Sequence, residues 1–309
     1  MTNDNPLAHP FPLTDARISA QLYLGLPMWF MSGWKGTLLN ARCDAADALS
    51  EYSQVFSSVE GNTTFYGLPT VERARHWCHQ VPEHFRFCFK VPKSISHAAD
   101  IPRQLLHDGR QLCDFIAPLR ERIGVLMLQL PASFAPERSA ELFKTLDMLQ
   151  SLVNLPLAVE CRHPGFFLKD QHEVALLQEL NRQNVNRVIF DSRGLFQDGS
   201  MDDAVIHARG KKPRLPVHPL ATANHPVVRF IGHSDWLHNQ RYLEQWRQKI
   251  RQWLSEGRSP YFFVHTAGNR NCPEFAREIV RFWQGSMADW PGGRLVKNPA
   301  AGMTADLFV

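Results

Sequence analysis

Short apolar runs recur eight times along the chain, at residues 23–29, 58–65, 85–90, 124–129, 156–162, 187–191, 226–233 and 261–265, each closing on or near polar or ionisable positions. Helical periodicity falls between them, at 37–53, 70–79, 105–120, 136–153, 241–254 and 273–283. Asp170-Gln171-His172-Glu173 adds a capping box that opens a further helix at Val174. Strand alternating with helix in this way predicts a (β/α)8 barrel, the TIM-barrel fold. In that fold the C-terminal strand ends share one mouth. Glu60, Asn62, Lys90, Gln129, Glu160, Arg162, Asp191, Arg229 and His265 are therefore expected to converge, although they are far apart in sequence.

Side-chain parity sharpens the expectation, because successive strand residues point to opposite faces. One face is apolar: Phe87, Phe89 and Val91; Leu126, Leu128 and Leu130; Leu157, Val159 and Cys161; Val188 and Phe190; Val228 and Phe230; Phe262 and Val264. It is expected to pack beneath the helices. The other face carries Glu60 and Asn62, Cys88 and Lys90, Met127 and Gln129, Ala158, Glu160 and Arg162, Ile189 and Asp191, Arg229 and His233, Phe263 and His265. With helices covering the outside, this polar set is expected at the barrel axis, where it costs desolvation energy. Such charges either serve a ligand or pair into an ion network that plugs the mouth.

Length agrees with the pattern, since 309 residues hold one barrel and its extensions. Residues 1–20 read as a Pro-rich arm, 21–284 as the barrel domain and 285–309 as a tail. The basic, Pro-rich stretch 211–226 precedes strand seven and is expected as an ordered loop on the N-terminal face. A net charge of +4 is too small to argue for nucleic acid. The six cysteines show no CxxC pair and no zinc spacing, which fits reduced thiols. No run reaches the ~18 apolar residues of a membrane span, and no basic-then-apolar signal opens the chain. A cytoplasmic protein with no membrane partner is the expectation.

The expected mouth mixes carboxylates with cations. Glu60, Glu160 and Asp191 are candidate acids, bases or ligands, and Lys90 is a clamp or a nucleophile. Arg162 and Arg229 suit bidentate binding of phosphate or carboxylate. His265 belongs to the class that titrates near neutrality, and His97, just after strand three, is a candidate general acid. His163 reads better as a loop brace. Asn62, Tyr66, Gln129 and Trp29 add hydrogen bonds and aromatic surface for a sugar or nucleobase. No Walker loop, GxGxxG or nucleophile elbow is present, so no cofactor is expected. A divalent metal on Glu60, Glu160, Asp191 and His265 is the second choice, with no HxH or HExxH spacing behind it.

Seven strings carry a resemblance: VEGNTTFYGLP from Val59, FRFCFKVPKSISH from Phe85, LQLPASF from Leu128, VECRHPGFF from Val159, VNRVIFDSR from Val185, VRFIGH from Val228 and PYFFVHT from Pro260. In order over about residues 21–284, they resemble the domain-of-unknown-function 72 family, above all its YecE-like branch. The resemblance implies a TIM barrel and leaves the reaction open. Gly61 stands where much of that family has an aliphatic residue, and Ser96 where it has threonine. Val264-His265-Thr266 replaces a pair of asparagines, so the role of strand eight is branch-specific. The family barrel is similar to sugar-isomerase and abasic-site endonuclease barrels, whose full metal cluster does not map onto this chain.

Three functions follow as expectations. The first is a metal-independent enzyme acting on a small phosphorylated or carboxylated substrate, sugar- or nucleotide-like. The second is a nucleic-acid protein of the abasic-site endonuclease kind, taking a flipped nucleotide at an aromatic rim. For that reading, Asp306, Leu307 and Phe308 match the end of the bacterial sliding-clamp peptide, making the clamp a candidate partner. The third is a non-catalytic metabolite sensor.

Overall fold

The computed structural model describes residues 20–284; the expected tail, with Asp306, Leu307 and Phe308, and all of the expected arm but Ala20 lie outside the described residues. Eight parallel strands close a barrel in chain order: β1 Tyr23–Leu26, β2 Ser58–Gly61, β3 Arg86–Lys90, β4 Ile123–Gln129, β5 Leu157–Glu160, β6 Asn186–Asp191, β7 Val227–Ile231 and β8 Tyr261–His265, with β8 pairing back onto β1. The (β/α)8 expectation is the observed fold. Helices Ala48–Val55, Val71–Gln80, Ile101–Ile116, Ser139–Val153, Gln171–Arg182, Gln240–Ser255 and Cys272–Gln284 belong to the helical layer around it. Among the described residues no helix is long and apolar enough to cross a membrane.

Local chemistry trims the expected elements. β1 stops before Pro27, which has no N–H for the ladder. The first long helix begins at Ala48 instead of residue 37, because Asp44 Oδ1 accepts the N–H groups of Ala46 and Asp47 at 2.8 and 3.1 Å and holds a turn there. The capping signal at Asp170 is realised: its Oδ1 accepts from His172 N and Glu173 N at 2.9 and 3.2 Å. Glu173 reaches back to the N–H of Lys169 at 2.8 Å, one residue earlier than a standard box.

Two cores separate as parity predicts in five strands. Phe87, Phe89, Leu126, Leu128, Leu157, Val159, Val228, Phe230, Phe262 and Val264 pack outward in one buried core with Leu112, Leu146, Leu180 and Trp246 of the helices. Cys88, Val125, Met127, Ala158, Val227 and Phe263 fill the barrel with Tyr23, Val188 and Tyr261. Burying each large apolar side chain contributes roughly 1.5–3 kcal/mol. Glycine matters where backbones approach. A Cβ at Gly25 would lie 2.3 Å from the Ser58 carbonyl oxygen, and one at Gly61 would lie 2.4 Å from the Phe89 ring, which accounts for glycine there.

β6 reverses the expected faces. Val188 joins the inner core, whereas Ile189 joins the outer one and Asp191 turns outward. Phe190 pairs with Arg229 and shares its inward face. Val188, Ile189 and Phe190 are apolar in succession, as a strand buried on both faces permits, so alternation carries no signal there.

The 211–226 connection is ordered, but it is not confined to the N-terminal face. It begins at the mouth with Lys212, whose N–H bonds Ala208 O at 2.9 Å. It then descends outside β6. Pro213 O accepts the Ser192 hydroxyl at 3.0 Å, His218 Nδ1 meets Glu173 at 2.6 Å, and the Thr222 hydroxyl donates to Val185 O at 2.7 Å. Helix Asp203–Lys211 has nine residues. At ~1.5 Å per residue it spans only about 14 Å, too little to cover β6 alone.

Candidate functional site

Seven of the expected residues meet at the mouth, six from inward positions of the strands and Arg162 from just past β5. Glu60, Lys90, Gln129, Glu160, Arg229 and His265 are each at most 5% exposed. Arg229 is the hub. Its Nε and Nη2 donate to Glu60 Oε2 and Oε1, both at 2.8 Å, and its Nη1 donates to Glu160 Oε2 at 2.7 Å. Arg162 Nε donates to Glu160 Oε1 at 2.6 Å. Lys90 Nζ donates to Gln129 Oε1 at 2.8 Å and lies 3.4 Å from Glu60 Oε1. His265 Nε2 is 3.1 Å from Glu60 Oε2. These charge-assisted bonds are the strong kind, and the fork from Arg229 to Glu60 fixes orientation as well.

Burial and charge compete in this cluster. Burial raises the Glu60 pKa, but Arg229, Lys90 and His265 overcome it and hold the carboxyl well below its ordinary range. The same contest at Glu160, with Arg229, Arg162 and Lys90 against burial, brings it to about 2. Desolvation pulls His265 down to about 4 despite Glu60, which leaves a neutral imidazole at pH 7. Burial and then Arg229 bring Lys90 down to about 8 against Glu60 and Glu160.

Lys212 was not expected here. Its Nζ lies 6.0 Å from the centre of the Phe190 ring, which Arg229 also faces at 5.1 Å. Burial, then Arg229, lower it to about 8, against Glu60 and Glu160. Among the described residues its ammonium has no hydrogen bond or ion pair. Two carboxylates, Glu60 and Glu160, thus share the mouth with four cations, Lys90, Arg162, Lys212 and Arg229. Arg162, with a side chain 22% exposed, and the half-buried Lys212 are the least buried of the four. The available signal is the Lys211-Lys212 pair at the end of a short helix, before the chain has left the mouth.

Around the charges lies a mixed rim. His97 stands 5.4 Å from the Phe65 ring with Ser96 Oγ 3.0 Å from its Nδ1, and burial, then Lys93 and Arg162, lower its pKa. Lys90 Nζ faces the Phe65 ring at 5.6 Å, and Tyr66 follows, 85% exposed. Asn62 donates from Nδ2 to Pro27 O at 2.9 Å and so ties the ends of β1 and β2 together. It lines, with Pro27, Met28, Phe30 and Tyr66, a cleft of about 420 Å³. A larger cavity of about 600 Å³ opens between Trp236, Thr266, Arg270 and Phe275. None of the clustered charges lines either space, so the clefts flank the cluster.

Two expected residues are elsewhere. Asp191 lies outside the barrel, accepting from Trp246 Nε1 at 2.7 Å and from Arg193 Nε and Nη2 at 3.0 and 2.8 Å. The reversed face of β6 is the reason. Trp29, past the turn at Pro27, packs its ring on Trp77 at 4.9 Å and Phe87 at 6.5 Å in the outer layer, while also lining the smaller cleft. His163 braces its loop, accepting the Gly165 N–H at 3.1 Å. The metal alternative fits poorly. Asp191 has left the donor set, Glu60 and Glu160 are bound by arginine, and no group of three or more His, Cys, Asp or Glu among the described residues is placed to hold an ion.

Similarity to known proteins agrees with this frame. The profile of the family described as protein of unknown function DUF72 matches residues 23–295. The UPF0759 protein YecE of Escherichia coli K12 is 39% identical over 261 residues, covering 84% of this chain and 91% of that protein. The crystal structure of a DUF72 family protein from Enterococcus faecalis matches with a TM-score of 0.66 at 20% identity, over 92% of this chain and 100% of that one. A DUF72 family protein from Thermotoga maritima matches with a TM-score of 0.60 at 19% identity, over 86% of this chain and 98% of that one. These two likenesses are of fold. The chain belongs to the DUF72 family.

Proposed function

We propose that this member of the DUF72 family is a metal-independent enzyme whose C-terminal mouth takes a small phosphorylated or carboxylated substrate. One observation carries the reading. Glu60 and Glu160 face four cations, and two of these, Arg162 and Lys212, are the least buried. A positive surplus in a desolvated mouth is unfavourable until an anion joins it. Each charge-assisted hydrogen bond to that anion contributes about 1.5–3 kcal/mol. Glu60 and Glu160 orient the arginines in this account. Lys90, brought down to about 8, is the held group fitted to exchange a proton near neutral pH. Tyr66, Asn62 and the cleft beside them suit the uncharged part of a sugar or nucleotide.

A thermal-shift screen of metal-stripped protein tests this, with sugar phosphates, nucleotides, carboxylic acids, divalent metals and short abasic DNA. An anion at 100 times its Kd stabilises by about 2.7 kcal/mol through linkage. That shift is expected in wild type and reduced in Arg162→Ala, with turnover then sought for the anion found. Stabilisation by metal or abasic DNA alone contradicts the proposal.

A further inference from the structure

We infer that Lys212 is a carbonyl-reactive amine: the mouth takes an anion that also carries an aldehyde or ketone, and Lys212 Nζ forms an imine with it. This rests on the anion-binding reading above and names its substrate class.

The four cations of the mouth are not equivalent. Lys90 is held by Gln129 and Glu60, Arg162 by Glu160, and Arg229 by both carboxylates. Lys212 alone of the four has a side chain with no hydrogen bond or ion pair among the described residues. Its backbone is nevertheless fixed. Its N–H bonds Ala208 O at 2.9 Å, and the next residue, Pro213, accepts the Ser192 hydroxyl at 3.0 Å. Nζ faces Phe190, which packs with Leu195, Val205 and Ile231 in a small apolar cluster. Arg229 and Arg162 both repel a charge on it.

An amine placed by its backbone, desolvated against a ring and crowded by guanidinium groups is disposed to lose its proton and become nucleophilic. Its fall to about 8 agrees with that. Lys90, at a similar value, is tied by two partners and only 4% exposed, so it is the poorer nucleophile. The step balances without another reactant. The Nζ lone pair attacks the carbonyl carbon, the C–O bond breaks as C=N forms, and both amine hydrogens leave with the oxygen as water. Arg162 holds the anionic group beside it.

Reductive trapping tests the inference. Full-length protein at pH 7 is treated with glyoxylate or pyridoxal 5′-phosphate plus sodium cyanoborohydride, and the label is mapped by intact mass and peptide analysis. One equivalent on Lys212 is expected. From the free-amine fraction at about 8, it should form on the order of 100-fold faster than on an amine with the ordinary lysine pKa. Lys212→Arg keeps the positive charge, so it should retain thermal stabilisation by inorganic phosphate and lose the label. Label spread evenly over the lysines, or unchanged in Lys212→Arg, overturns the imine while leaving anion binding intact. Absence of phosphate stabilisation in wild type overturns the reading on which it rests.

Discussion

Outside β6 lies a second buried ion cluster, and it differs from the mouth in one respect. Glu173 Oε1 meets Arg187 Nη1 at 2.7 Å and His218 Nδ1 at 2.6 Å, and its Oε2 accepts the Lys169 N–H at 2.8 Å. Arg187 gives Nη2 to Phe166 O at 3.0 Å and faces the Phe167 ring at 4.4 Å. Each charge there is matched within the chain, and the cluster clips the 211–226 connection to the barrel wall. The mouth uses the same residue types at similar burial and leaves Lys212 unmatched. Burial of charge therefore does not distinguish a structural cluster from a binding site. Counting donors against acceptors does: a saturated cluster holds chain, and an unsaturated one has room for a ligand.

The comparison can be broken most forcefully by removing the hub of each cluster. Arg229→Met and Arg187→Met should each cost about 3–5 kcal/mol in urea denaturation, because each leaves buried carboxylate without its main partner. Adding Glu173→Gln to Arg187→Met should recover part of that loss. A cost near zero at either site would mean the ions are not energetically engaged. Acid titration comes next. His265 sits at about 4 in the folded protein and near ~6.5 unfolded, so the unfolded chain binds the extra proton between those values. Stability should fall by about 3 kcal/mol as pH drops from 6.5 to 4. Glu160, at about 2, adds its loss only as pH falls below the ordinary glutamate range. His265→Gln should remove the first step, and a wild-type profile flat across that window would count against a neutral His265.

Asp191→Ala is expected to cost about 1–3 kcal/mol by stranding the buried Trp246 N–H. Anion affinity should be untouched, and a change in it would return Asp191 to the mouth. The smallest stability effect belongs to Lys212→Ala, which should leave stability within about 0.5 kcal/mol. Its anion affinity should nonetheless drop by about tenfold or more, the loss of one charge-assisted contact.

Much of this architecture was legible in the sequence. Alternation in β3, β4, β5, β7 and β8 named both faces, and with them Lys90, Gln129, Glu160, Arg229 and His265 as neighbours. It failed at β6, where three consecutive apolar residues satisfy both faces, and Asp191 was misassigned with it. Trp29 lies past Pro27, which ends β1 and turns the chain, so strand parity does not show that its ring packs on Trp77 and Phe87 while lining the smaller cleft. Lys212 was invisible for a different reason. Its position depends on a helix too short to cover β6, which leaves the connection starting at the mouth and descending outside the barrel. Pairing within the mouth was equally hidden, because β-strand parity brings side chains to one face without saying which donor finds which acceptor.

The most direct test is calorimetric titration of inorganic phosphate into wild type, Arg162→Ala, Lys212→Ala and Asp191→Ala. An unsaturated cation site predicts saturable binding in wild type and in Asp191→Ala, weakened about tenfold or more in Arg162→Ala and Lys212→Ala. No saturable binding, or equal affinity in all four proteins, would mean that the mouth is a closed structural network like the cluster outside β6.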